Sequence, residues 1–258
     1  MNSHASNKSL VRQAIAQGKF PKSLYKYRGT GENTLAIFES MKLWFPKPSS
    51  FNDPFDCNLS EVSVHTPEEA VRFRNHILEG RPNRDHLSSF PVSTAELEAI
   101  MTAARARVID HMGVFCLSRT FDNILMWSHY AEEHKGLVLE FDIEEDYDFF
   151  TTPINVVYTV EYEPINHFLD PHDAVTRLIS TKSKAWEYEG EVRIMKPHTA
   201  GLVSFKPSAL KRVIFGCRSD QVFVDKVVAL CSKGPLRHVE FGRLSTVSEK
   251  FALQLAQL

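Results

Sequence analysis

The apolar and polar positions of this chain repeat with two periods, and the places where the period changes mark its elements. Ser23-Leu24-Tyr25-Lys26-Tyr27-Arg28 alternates in the manner of a strand, which Gly29-Thr30-Gly31 breaks, so Arg28 falls at a strand end. Leu35, Ile37, Phe38 and Met41 then form an apolar stripe, predicting a helix capped by Asn33, and Leu43-Trp44-Phe45-Pro46 predicts a second strand or turn. Thr66-Pro67-Glu68-Glu69 and Ser93-Thr94-Ala95-Glu96 each match a capping box, with Pro67 at the first helical position. The two helices they open are expected to bury Val71, Ile77 and Leu78, and Leu97, Ile100, Met101, Ala104 and Val108. Arg81 to Arg84 between them reads as a solvated turn.

Gly113-Val114-Phe115-Cys116-Leu117-Ser118-Arg119-Thr120 is nearly continuous in its apolar part and ends in hydroxyls, as a central strand delivering residues to a site does. A helix over residues 124–131 follows, with Gly136 as its expected C-cap. Further strands are expected over residues 137–141, 154–160 and 210–216, with helices from Asp170-Pro171 and after Ser219, and one or two closing strands from His238 to Leu255. Helices and strands do not alternate regularly, so the expected class is α+β with mixed, mainly antiparallel sheets. The expected organisation is a flexible N-terminal arm over residues 1–18 and one domain over 19–258, with a helical insertion at about 66–112.

Composition adds limits. With 258 residues, 43% of them hydrophobic and 24% charged, the chain can build a substantial core. A net charge of -2 gives no globally basic nucleic-acid surface. No apolar run is long enough to span a bilayer and residues 1–20 lack a secretory pattern, so no membrane association and a cytoplasmic location are expected. Cys57, Cys116, Cys217 and Cys231 lack metal-binding spacing and read as reduced, mostly buried thiols.

The candidate chemistry centres on Trp186-Glu187-Tyr188-Glu189-Gly190-Glu191-Val192-Arg193-Ile194-Met195. Alternation along an extended chain puts Glu189 and Glu191 on one face, and Gly190 permits a sharp turn into the strand. A solvated, charge-decorated edge is the usual meaning of a lone Glu-x-Glu, and Arg193 as an ion-pair partner would make the carboxylates structural. Ser49-Ser50-Phe51-Asn52-Asp53-Pro54-Phe55-Asp56 is a shaped loop in which Phe and Asn/Asp suit a planar ring, or else an Asx-turn that folds the chain back. His129 is a candidate to face the same pocket as Ser118, although a lone histidine is more often a satisfied packing residue.

Arg28, Ser118 with Thr120, and Glu189 with Glu191 occur in the order of the Arg, Ser-Thr-Ser and Glu-x-Glu signature, which they resemble, of mono-ADP-ribosyltransferases. The middle piece departs from that signature as Ser118-Arg119-Thr120. The chain also resembles an uncharacterised bacterial family, domain of unknown function 2971, through Leu24-Tyr25-Lys26-Tyr27-Arg28, Phe51-Asn52-Asp53-Pro54-Phe55-Asp56, Met126-Trp127-Ser128-His129-Tyr130 and Trp186 to Arg193.

The transferase resemblance implies a split β-sandwich and cleavage of the nicotinamide-ribose bond of NAD. ADP-ribose would then pass to an unidentified protein or nucleic-acid acceptor. It further implies a toxin or phage-defence effector, with an inhibitory or antitoxin partner. Glu191 would stabilise the sugar cation, Glu189 would orient or deprotonate the acceptor, Arg28 would hold pyrophosphate or ribose, and Ser118 would position Glu191. Tyr27, Asn52, Phe55, Thr120 and His129 complete the expected NAD-binding set, and no metal is expected. The competing readings are a non-enzymatic nucleotide-sensing or interaction module and, more remotely, a metal-dependent nuclease built on Asp53, Asp56 and Glu191.

Overall fold

The computed structural model describes residues 2–79, 81–88 and 93–258. In chain order the elements begin with α1 (Asn2–Ala16), β1 (Ser23–Arg28), α2 (Glu32–Ser40) and β2 (Lys42–Phe45). The helical segment contains α3 (Pro67–Leu78), α4 (Arg84–Ser88) and α5 (Thr94–His111), and then come β3 (Gly113–Ser118), α6 (Ile124–Tyr130) and β4 (Leu137–Asp142). Next are β5 (Pro153–Asn155), β6 (Val157–Thr159), α7 (Pro171–Ser180), β7 (Thr181–Ser183), β8 (Glu191–Lys196) and β9 (Gly201–Ser204). The chain closes with β10 (Leu210–Phe215), α8 (Gln221–Cys231), β11 (Glu240–Thr246) and β12 (Leu253–Gln257). The fold is α+β. Eight strands form one sheet in the order β12-β11-β10-β4-β1-β3-β8-β5, and β2-β9 and β6-β7 form two small sheets.

Period-two alternation decides which side chain goes to which face of the large sheet. Leu24, Leu137, Leu139, Val213 and Phe215 point to the main core, which α2 and α8 close with Ile37, Phe38, Phe223 and Val227; Val11 of α1 is buried there too. Their neighbours in sequence, Val138 and Ile214, join Tyr27, Met126, Trp127 and Leu244 beneath α6 on the opposite face. Within the main sheet β10 and β11 run parallel and the remaining pairs are antiparallel.

One seam interrupts the ladder of this sheet. β1 pairs with β4 at six positions, from Ser23↔Asp142 to Arg28↔Leu137, but with β3 only at Tyr25↔Ser118. Beyond that pair, side chains bridge the strands in place of the ladder. Lys26 Nζ donates to the Cys116 carbonyl at 2.8 Å and Tyr27 Oη to the Thr120 carbonyl at 3.0 Å, satisfying backbone acceptors that the seam leaves open.

Both capping boxes form: Thr66 Oγ1 accepts from Glu69 N, Ser93 Oγ accepts from Glu96 N, and each glutamate reaches back to its cap's N–H. Three local expectations are corrected. α2 starts at Glu32 with Gly31 as its N-cap, ahead of Asn33, which lies inside the helix. α6 ends at Tyr130 with Ala131 as its C-cap, and Gly136 serves a different purpose, since a Cβ there would lie 2.0 Å from the Arg28 carbonyl oxygen. The single strand expected over residues 154–160 divides at Val156, with β5 joining the large sheet and β6 pairing with β7.

Candidate functional site

Glu189 and Glu191 do converge, though not through strand alternation. Glu189 ends a 3₁₀ helix (Lys184–Glu189), Gly190 caps it in the left-handed region at φ 52°, and Glu191 is the first residue of β8. The turn is pinned because Gly190 O accepts from Arg119 N at 2.9 Å and Ser118 Oγ donates to the Glu189 carbonyl at 2.7 Å. Ser118 and Glu191 are direct cross-strand partners. The hydroxyl therefore positions the backbone that presents both carboxylates.

Behind them lies a buried network of charges. Lys182 Nζ donates to Glu189 Oε2 and to Glu191 Oε2, the latter at 3.2 Å, and lies 3.5 Å from Asp56 Oδ2. Arg193 is fully buried and donates to Asp56 through both arms of its guanidinium, Nη1 to Oδ1 at 2.8 Å and Nη2 to Oδ2 at 2.6 Å; Nη2 also reaches Glu191 Oε2 at 3.0 Å. Nη1 donates to the Ile179 carbonyl as well, at 2.7 Å. Desolvating such charges is tolerable only because each is paired and hydrogen-bonded. Lys26 also lines the cleft, with its ammonium on the Cys116 carbonyl, and burial pushes its pKa down.

The electrostatic consequence falls on Glu191. Burial alone would raise its pKa, but Arg193 and then Lys182 outweigh that and hold it down to about 2, so it is a carboxylate at any physiological pH. Tyr130 Oη donates to Glu189 Oε1 at 2.6 Å, and burial together with that bond pushes the phenol pKa up. Tyr130 is a phenol held against one carboxylate. Burial pushes the Cys116 thiol well up, which disfavours the thiolate a nucleophile needs.

These groups border a cleft of about 320 Å³ whose walls include Tyr25, Tyr27, Phe51, Asn52, Met126 and Tyr130, with Ser118, Lys26, Lys182, Glu189 and Glu191 supplying the polar functions. It opens beside the β1–β3 seam. A volume near the lower end of small-molecule pockets suits a nucleoside-sized group, and the aromatic walls suit a planar ring.

Of the residues expected from sequence, Glu189, Glu191, Ser118, Tyr27 and Asn52 line this cleft, and four do not. Arg28 lies two positions beyond Lys26 and outside the lining; its Nε is buried with no hydrogen-bond partner among the described residues. Lys26 is the cation of β1 that reaches the cleft. Phe55 is 73% exposed, while Phe51 of the same loop forms the wall and packs against the Arg193 guanidinium. Thr120 contributes its carbonyl to Tyr27, and His129 Nδ1 hydrogen-bonds Tyr188 Oη at 2.9 Å. Asp53 folds its own loop by accepting from Phe55 N at 2.9 Å.

Asp56 and Glu191 share Arg193 and Lys182 as partners, which take both Asp56 oxygens and Glu191 Oε2. Among the described residues no group of three or more His, Cys, Asp or Glu side chains is arranged to hold a metal. Lys182 and Tyr130 escaped sequence reasoning. Lys182 sits in a polar run, Thr181-Lys182-Ser183, with no local signature of burial, and Tyr130 reads from its spacing as the packed end of α6.

A protein-family model described as a protein of unknown function (DUF2971) matches residues 126–194. That span carries Tyr130, Lys182, Glu189, Glu191 and Arg193, whereas Lys26, Asp56 and Ser118 lie outside it. No curated protein and no solved structure matches the chain. Among the described residues, no helix is long and apolar enough to cross a membrane.

Proposed function

We propose that the cleft binds NAD by its nicotinamide-ribose half and cleaves the bond between the ribose C1′ and the nicotinamide nitrogen, passing ADP-ribose to a macromolecular acceptor or to water. The observation that carries this reading is the placement of an ionised Glu191 beside Ser118 and Glu189 in one aromatic-walled cleft. As the bond breaks, its electron pair leaves with nicotinamide and the ribose becomes cationic. A fixed carboxylate favours that state over the ground state. The acceptor oxygen or nitrogen then bonds to C1′ and gives up its proton, and Glu189 with Tyr130 is the pair available to steer it. The split β-sandwich implied by the transferase resemblance belongs to this proposal. It is supported by the adjacency of β1, β3 and β8, the strands associated with the three sequence pieces, and by the single-pair seam between β1 and β3.

The test is incubation of the protein with labelled NAD and a cell lysate. Nicotinamide release by the wild type and its loss in Glu191→Gln are expected, and label recovered on protein or on nucleic acid identifies the acceptor. Release by neither protein, or equal release by both, sinks the proposal.

A second reading, a nucleotide-sensing module without turnover, is favoured by one observation: Glu191 Oε2 is shared by Lys182 and Arg193, which neutralise much of its field. It predicts saturable NAD binding to both wild type and Glu191→Gln with no nicotinamide release.

A further inference from the structure

A second cavity, of about 210 Å³, lies between α3, α5 and α7 and is lined almost wholly by apolar side chains, among them Phe73, Met101, Val108, Val175 and Ile179. Ile100 and Ala104, both exposed, stand on its α5 side, where solvent has access. An apolar pocket larger than the ~150 Å³ cavity known to stay dry and bind benzene in another protein offers water few partners. Its walls forgo dispersion contacts that an apolar occupant would supply.

Three polar side chains, His76, Arg105 and His167, also reach the lining, and of these His167 is the buried one. His167, 5% exposed, is on its lining, and its ring is held by Glu61: Nδ1 lies 2.7 Å from Glu61 Oε2, and the His167 backbone N–H donates to Glu61 Oε1 at 2.9 Å. Arg105 braces the same carboxylate at 3.5 Å. Because a carboxylate can only accept, Nδ1, 2.7 Å from Glu61 Oε2, is the ring nitrogen that carries hydrogen; burial acts to raise the Glu61 pKa, but the hydrogen bonds from His167 prevail and lower it. Nε2 is left buried with no hydrogen-bond partner among the described residues. A buried polar atom in that condition is costly. A hydroxyl satisfies it in either protonation state, because it both donates and accepts.

We propose that this cavity is a binding site for a small alkylphenol-like molecule, an apolar ring seated among α3, α5 and α7 with its single hydroxyl bonded to His167. The site is separate from the charged cleft and does not depend on the function proposed for it.

The experiment titrates the full chain with p-cresol and with toluene, which shares the ring and methyl but lacks the hydroxyl, by calorimetry and by methyl NMR. One-to-one saturable binding of p-cresol is expected, at least about tenfold tighter than toluene, consistent with one hydrogen bond to a buried partner. Nuclear Overhauser contacts from p-cresol to the Val108 and Ile179 methyls are expected in the wild type, a measurement that needs no variant. Ala104→Phe at the mouth should weaken p-cresol at least about tenfold. Absence of saturation, toluene binding as tightly as p-cresol, or contacts confined to other parts of the protein would overturn the proposal.

Discussion

Arg193 and Asp56 lie 137 residues apart in sequence and meet in the interior as a two-armed pair, with bonds of 2.8 and 2.6 Å. The pair joins the loop after β2 to β8 and fixes the back of the cleft.

Removing one member of such a pair strands a buried charge. Arg193→Met and Asp56→Asn should each lower unfolding stability by about 3–5 kcal/mol. Arg193→Lys should also destabilise, since an ammonium keeps the charge but loses the planar fork. Urea unfolding of the single variants and the Asp56→Asn/Arg193→Met double variant checks this. The double variant should lose less than the sum of the singles, and additive losses would show the two residues to be uncoupled.

Stability should fall in acid because of Glu191. A carboxylate held down to about 2 from a usual value of 4.5 contributes stability that is complete above about pH 5 and is lost as pH drops toward 2. Denaturant midpoints measured from pH 7 to pH 2 should show a steeper decline for the wild type than for Glu191→Gln. That variant should be weaker at pH 7, where Lys182 and Arg193 lose a counter-charge. Parallel profiles would mean that Glu191 carries no such linkage.

Tyr130→Phe removes the donor to Glu189 Oε1 and leaves the ring in place. A hydrogen bond to a charged acceptor is worth about 1.5–3 kcal/mol, so a measurable loss of stability is expected. In the proposed reaction, transfer to a macromolecular acceptor should slow more than nicotinamide release, because the tyrosine acts on Glu189, the residue proposed to steer the acceptor. Assaying both products separates the two effects.

Gly136→Ala tests the close approach of β4 to β1. With a Cβ 2.0 Å from the Arg28 carbonyl oxygen, backbone must shift at the end of both strands. Overpacking of this kind costs about 1–3 kcal/mol or more. A thermal midpoint equal to that of the wild type would contradict the packing described.

The strands' two faces were legible in the sequence, because period two alone separates Leu137 and Leu139 from Val138, and Val213 and Phe215 from Ile214. Capping chemistry likewise announced α3 and α5, since Thr66 and Ser93 act on N–H groups three residues away. Such signals are local and survive without knowledge of the fold. Ser118 opposite Glu191 was partly legible, as hydroxyls at one strand end and carboxylates at another strand's start.

Tertiary structure decided what those groups meet. Nothing near Lys182 in sequence shows that it will be buried between Glu189, Glu191 and Asp56, because its burial is created by segments from three parts of the chain. The choice of Lys26 over Arg28 depends on where the β1–β3 pairing stops, and that is a property of strand register across the seam. The choice of Phe51 over Phe55 depends on the path of one loop. Sequence determined which residues could ionise, donate or pack; the fold determined which charges share a low-dielectric interior, and so which carboxylate is held ionised.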